Sequence, residues 1–280
     1  MLVAAVLVTQ PGQVMFADRT FFGTHRVVAD AHFHLLMHGN TLHGAQSLDP
    51  STRDEPLTYY SPTGPVGQIF DAFDEQHPGL RVGVVGLGAG AMACYARPGE
   101  PWTFYEIDPA VLRIATDARF FTYLRDCLPG RYDVVLGDAR LSLRNAPAGR
   151  FGLLAIDAFN SDAIPVHLMT REAVGMYLQK LTPRGILAFH ITNRYLDLRP
   201  VVANLAHDAG LVAFIRADRK VPASALAKGK LPSTWVAMAR SLDDLGSIPN
   251  DGRWQRLQAD PRAPVWTDDF SNILSTFRFS

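Results

Sequence analysis

Residues 81–91 read RVGVVGLGAGA, an apolar run that ends on Gly86, Gly88 and Gly90 in alternation. A short valine-rich run closed by glycine has the length of a buried strand rather than of a buried helix. The glycines let the backbone turn tightly and come close to a ligand, and a helix opening at Ala91 faces the same point with its N-terminus. Outward from this turn the pattern repeats. WTFYEI (102–107) predicts a second strand, and residues 109–119 a helix with Pro109 in its first turn. YDVVLGD (132–138), FGLLAID (151–157), GILAFHI (185–191), GLVAFIR (210–216) and TWVAMA (234–239) supply the remaining strands. Strands alternating with helices predict an α/β protein, a mostly parallel sheet of about seven strands covered on both faces.

Residues 14–62 read differently, as short strands and turns. HFHLLMH (32–38) and TLHGAQ (41–46) flank Gly39-Asn40, a pair suited to a hairpin turn. The Pro- and Gly-rich SPTGPVG (61–67), followed by Ile69, Phe70 and Phe73 at helical spacing, marks a joint. The expected organisation is a small β-strand and hairpin domain over 1–62 and a larger nucleoside-binding domain over 63–280. No internal repeat or low-complexity tract is visible.

Composition narrows the function. The 280 residues are 48% apolar and 19% charged, as in a folded globular chain. Lys plus Arg and Asp plus Glu are 27 each, so no net field draws the chain to nucleic acid or anionic lipid. Cys94 and Cys127 lack C-x-x-C spacing, which points to neither a metal nor a disulfide and fits a reducing, cytoplasmic compartment. The opening MLVAAVLV is too short to span a bilayer and has no basic leader. It reads as a first strand, a chain end, or the stub of a membrane segment in a longer parent chain, which would put the protein at the inner face of a membrane.

Ligands of open α/β sheets bind outside the carboxyl ends of the strands. Gly86, Gly88, Gly90, Glu106, Asp138 and Asp157 all stand at such ends. Glu106 lies 20 residues beyond Gly86, where an acid grips ribose hydroxyls. Any one of these acids alone reads as a solvated strand end, and the glycine turn alone also fits a nicotinamide enzyme. A dinucleotide needs no carboxylate at the third and fourth strand ends, whereas an adenosine-bearing sulfonium uses both: Asp138 for the adenine amino group, Asp157 near the charged, reacting end. His32, His34, His38 and His43 form an incomplete ligand set, so no metal is expected. His167 and His190 stand near the same crevice and read as hydrogen-bonded strand-end histidines.

The chain resembles the spermidine synthase (polyamine aminopropyltransferase) family, and within it bacterial spermidine synthase-like proteins often fused to a membrane domain. The resemblance runs from about Arg19 to the C-terminus. It rests on HGAQ (43–46), LTYY (57–60), GLGAGA (86–91), FYEIDP (104–109), GDARLSL (137–143), DAFNSDAIPVHL (157–168), HITNRYL (190–196) and WTDD (266–269). It implies a methyltransferase-like Rossmann sheet behind a small β domain, and an assembly of at least two copies. It implies contacts of Gln46 with the nucleoside or its methionine-derived tail, of Glu106 with the ribose, and of Asp138 and Ala139 with adenine. Asp157 matches the family's base and Asp162 the second acid of its D-x-x-D segment, here at longer spacing, while Tyr59 or Tyr60 would stand by the acceptor amine.

One position departs from the pattern. Typical members read G-G-G-D-G-G where this chain has Ala89 in place of the acid that helps hold the terminal ammonium of decarboxylated S-adenosylmethionine. The co-substrate is therefore expected to be either that donor or S-adenosylmethionine itself, with a small amine such as putrescine, or nothing, as acceptor. The first reading is aminopropyl transfer with release of methylthioadenosine. The alternatives are a lyase giving methylthioadenosine and homoserine lactone, a methyltransferase, and a non-catalytic nucleoside sensor.

Overall fold

The computed structural model describes residues 12–130, 132–159, 164–193 and 195–277. Asp162 and the apolar opening residues lie outside them.

Four antiparallel strands come first, β1 (Gln13–Thr20), β2 (Gly23–Ala29), β3 (Phe33–His38) and β4 (Thr41–Ser47), paired in chain order. The hairpin read at Gly39-Asn40 is present. Gly39 has φ +57° and Asn40 does not turn left-handed, the pattern of a type II′ turn with glycine at its first central position. The pairing of β4 with β3 slips by one residue. Leu36 faces Gly44 and Met37 faces Leu42, which leaves His43 as the extra residue of a bulge.

Helix α1 (Pro65–Gln76) follows, burying Ile69, Phe70 and Phe73 as their spacing predicted. The large sheet then builds from β5 (Val82–Val85), β6 (Trp102–Glu106), β7 (Tyr132–Leu136), β8 (Phe151–Ile156), β9 (Leu181–His190), β10 (Val212–Asp218), β11 (Ser233–Ala239) and β12 (Gln255–Arg256). Its order is β12-β10-β11-β9-β8-β5-β6-β7. The five strands from β9 to β7 are parallel, and β11 returns antiparallel beside β9. The two-residue β12, too short to show in the sequence pattern, makes this one strand more than expected. Helices α2 (Pro109–Thr116), α3 (Tyr123–Cys127), α4 (Ala139–Arg144), α5 (Arg171–Lys180), α6 (Arg199–Asp208) and α7 (Ala223–Ala227) fill the connections.

Every residue of β5 and β8 is buried, so alternate side chains serve opposite faces of the sheet. Val84, Phe104, Ala188 and Ala237 pack with α1 and Trp102, while Val85, Tyr105, Phe189 and Val236 pack with α5 and α6. The helix predicted to Arg119 stops at Thr116. Asp117 turns its carboxylate onto the N–H and guanidinium of Arg119, an Asx-type turn that competes with helix. The helix expected from Ala91 is a single 3₁₀ segment, Ala91–Tyr95.

The cysteine expectation fails. Cys94 and Cys127 form a disulfide, Cα atoms 4.8 Å apart, across 33 residues of sequence. It joins the 3₁₀ segment after the glycine turn to the last residue of α3, a juxtaposition made by tertiary packing that local spacing does not encode. Among the described residues no helix is long and apolar enough to cross a membrane.

Candidate active site

Strand order reverses around β5, which has β6 on one side and β8 on the other, and the crevice at such a switch point takes the ligand of a doubly wound sheet. Gly86 makes the crevice possible. At φ +100° it departs from β5, and a Cβ there would stand 2.5 Å from the carbonyl oxygen of Asp157. The main chain of Asp157 can therefore run against the turn, its N–H donating to Val85 at 2.8 Å. Gly88 turns at φ +54° under the carbonyl of His43 in the bulge. The four-stranded sheet thus roofs the crevice, enclosing a cavity of about 930 Å³.

Glu106, at the end of β6, is buried. Its two oxygens accept from Leu87 N–H at 3.0 Å and Asp108 N–H at 2.9 Å. Burial pushes its carboxyl above the usual glutamate range, and the backbone N–H groups pull partly the other way. The carboxylate keeps capacity to accept from further donors in the cavity. Asp138 also lines the cavity, with Ala139 beside it. One of its oxygens caps α4 by accepting from Leu141 N–H at 2.9 Å, and the other lies 3.2 Å from His167 Nε2. Only part of its acceptor capacity is left for a ligand.

Asp157 is 8% exposed and gripped from two sides. Tyr60 donates its hydroxyl to Oδ2 at 2.8 Å, and His190 Nδ1 lies 2.5 Å from Oδ1. Burial, then the Asp157 charge beside it, pushes the Tyr60 hydroxyl far above the ordinary tyrosine value, so it stays a donor. The Tyr60 carbonyl in turn accepts from Tyr95 at 2.6 Å. Just before the tyrosine pair, Thr58 takes φ +58°, costly for a β-branched residue. Main-chain hydrogen bonds to Gly229 and Leu231, at 2.8 and 2.9 Å, hold it there and set the entry of Tyr59 and Tyr60 into the cavity.

The roof contributes His25, His38 and His43. His25 Nε2 bonds Asp108 at 2.7 Å and stacks on His38 at 4.7 Å, and His38 meets His43 at 5.1 Å. Burial, reinforced by neighbouring His25, holds the His38 imidazole below the ordinary histidine value, against a hydrogen bond to the Phe22 carbonyl. For Asp108, burial acts upward but is outweighed by hydrogen bonds from Thr20, Ala110 N–H and His25, which keep its carboxyl low. Among the described residues no group of three or more His, Cys, Asp or Glu is arranged to hold a metal ion.

The structure brings together Gly86, Gly88, Glu106, Asp138, Ala139, Asp157, Tyr59 and Tyr60 on one cavity wall system. Gly90 and Gln46 are not in it. Gly90 starts the 3₁₀ segment with Leu124 against its Cα side. The Gln46 amide is spent on Thr122, at 2.9 Å to its hydroxyl and 2.8 Å from its N–H, and on the Arg53 carbonyl at 3.2 Å. His43 lines the cavity in its stead, because the bulge re-aims that stretch of β4. WTDD also stands outside: Asp268 receives Arg140 and Thr170, pinning α4 to α5. Carboxylates of Glu106, Asp108, Asp138 and Asp157 line the cavity, and among its described lining residues there is no Lys or Arg. Such a wall suits a cationic ligand.

No family model matches the chain. Over 112 residues it is 35% identical to the polyamine aminopropyltransferase of Vibrio vulnificus, a match covering 38% of this chain and 36% of that protein. The alignment thus spans about a third of the curated relative's length. Among solved structures, a probable spermidine synthase from Corynebacterium glutamicum superposes with TM-score 0.68 at 18% identity, over 92% of this chain and 98% of its own. Spermidine synthase from Thermotoga maritima gives 0.56 at 12% identity over 96% and 85%. A spermidine synthase bound to the transition-state analogue AdoDATO gives 0.55 at 12% identity, with the same coverage. At these identities the structures speak for the fold. The chain thus shares its fold with spermidine synthases and, over 112 residues, is similar in sequence to a polyamine aminopropyltransferase.

Proposed function

We propose that the protein transfers an aminopropyl group from decarboxylated S-adenosylmethionine to a small amine and releases methylthioadenosine. The observation that carries this reading is the Asp157 carboxylate, held by Tyr60 and His190 in the same cavity as Glu106 and the glycine turn.

Adenosine would lie at the turn, its ribose on Glu106 and its base between Ile107 and Ala139, with Asp138 toward the exocyclic amine. That sets the sulfonium near Asp157. The incoming amine is protonated in water, with a pKa of about 10 like lysine's, and must lose a proton before or during attack. Asp157 takes that proton. The nitrogen lone pair then forms the N–C bond to the methylene carbon, the C–S bond breaks, and its electron pair returns to sulfur as a neutral thioether. Holding donor and acceptor in line is worth up to about 7–11 kcal/mol of the barrier.

Ala89 favours a second reading in which the donor keeps its carboxylate. Ala89 is 1% exposed and packs on Gly44, where a Cβ would come within 2.7 Å of its own, so the turn offers no acid to a tail ammonium. With S-adenosylmethionine the product would be an aminocarboxypropyl amine or homoserine lactone. The cavity supports the decarboxylated donor first, since a carboxylate there would meet acidic side chains and, among the described lining residues, no permanent cation. Substituting Asp157→Asn tests the core of the proposal: turnover should fall by about 10²- to 10⁴-fold while methylthioadenosine binding persists, and unchanged turnover would contradict it.

A further inference from the structure

We infer that His190 is a positioning residue for the transfer, orienting Asp157 through Nδ1–H, with its own tautomer set by Thr192 and Thr234. The inference rests on the proposed role of Asp157 as base.

Three neighbouring strands build the arrangement. Asp157 leaves β8, His190 ends β9, and antiparallel β11 brings Thr234 and Trp235 in at the same edge, with Trp235 directly opposite His190. The imidazole is 2% exposed and lies flat on the Trp235 ring, centroids 4.5 Å apart and planes 5° from parallel. Its edge cannot swing without breaking that stack. Nδ1 stands 2.5 Å from Asp157 Oδ1 and Nε2 stands 2.6 Å from Thr192 Oγ1.

The proton can be placed by elimination. A bare nitrogen lone pair facing a carboxylate oxygen at this separation would be repelled, so a proton lies between Nδ1 and Oδ1. Thr192 Oγ1 accepts from Thr234 N–H at 2.8 Å and can turn its own proton to Nε2. The chain then runs in one sense: Thr234 N–H to Thr192, Thr192 O–H to His190, His190 N–H to Asp157. Each donor polarises the next.

With Tyr60 on Oδ2 and His190 on Oδ1, one lone pair of each carboxylate oxygen is taken, and Asp157 lines the cavity with the others left to accept. In the transfer the amine proton passes to Asp157 as the N–C bond forms and the C–S bond breaks. His190 keeps its own proton throughout and acts only through the carboxylate. A ring needed merely to fill space beside Trp235 would have no use for the Thr192–Thr234 relay.

Two variants and one spectrum test this. His190→Phe keeps the stack and removes the donor; His190→Asn puts an amide N–H near the Nδ1 position. His190→Phe should lower kcat about 10- to 100-fold with donor KM within about twofold, and move the acidic limb of the rate profile to higher pH. His190→Asn should restore most of the rate. A kcat for His190→Phe near wild type with an unmoved limb, or equal damage in both variants, would overturn the assignment. Nitrogen-15 NMR of the wild-type imidazole should find Nδ1 protonated and Nε2 bare at neutral pH, and the opposite tautomer would overturn it independently of turnover. Wild-type protein that releases no methylthioadenosine would defeat the proposed reaction, and the nitrogen shifts would then decide the His190 assignment by themselves.

Discussion

Asp157, Glu106 and Asp138 were legible in the sequence because each ends an apolar run, and the end of a strand is a local property. Their partners were not. Tyr60 is 97 residues from Asp157 and His190 is 33, so both hydrogen bonds are made by topology. Gln46 was read from the resemblance alone; its amide is held by Thr122 and the Arg53 carbonyl, and His43, the extra residue of the β4 bulge, lines the cavity. At this scale two outcomes are expected. Asp157→Asn should cut kcat by about 10²- to 10⁴-fold, the ordinary worth of a general base, measured by methylthioadenosine release. Glu106→Gln should weaken methylthioadenosine binding by about 10- to 100-fold in a calorimetric titration, because hydrogen bonds to a charged acceptor are worth about 1.5–3 kcal/mol. On the proposed ribose role, affinity in the wild type should also fall as pH drops through the raised Glu106 value, since only the ionised carboxylate would accept from both ribose hydroxyls.

At the scale of elements, strands β5 to β11 were visible from their apolar runs and β3 and β4 from their hairpin turn, while β1, β2 and the two-residue β12 were not read one by one. The contacts between elements were not visible. Gly44 of β4 sits so close to Ala89 that the roof and the glycine turn touch through two small residues. Gly44→Ala should lower stability by about 1–3 kcal/mol in denaturant unfolding, the usual cost of overpacking, and should weaken donor binding by lifting the roof. The Cys94–Cys127 bridge ties the segment after that turn to α3 and closes a 33-residue interval. Replacing both cysteines by serine should cost about 3–4 kcal/mol by loop-closure entropy. Reducing agent should produce the same loss in the wild type and none in the double variant.

The whole molecule is a large sheet that presents a carboxylate-lined edge and a small sheet that covers it. The sequence pattern predicted both halves, but not that three roof histidines would pack together over the crevice. His38 faces His25 and His43 from neighbouring strands and Asp108 from the start of α2. Its folded-state value lies below the ordinary histidine value of about 6.5, so between the two the unfolded chain binds the extra proton. Stability should therefore fall as pH drops through about 6.5, and His38→Gln should flatten that slope in thermal unfolding. The central claim concerns what the covered edge does. The most direct measurement is mass spectrometry of products after incubating the protein with decarboxylated S-adenosylmethionine, with and without putrescine. The account predicts methylthioadenosine and an aminopropylated amine in equal amounts, both dependent on the amine. Methylthioadenosine formed at the same rate without amine, or no methylthioadenosine at all, would contradict it.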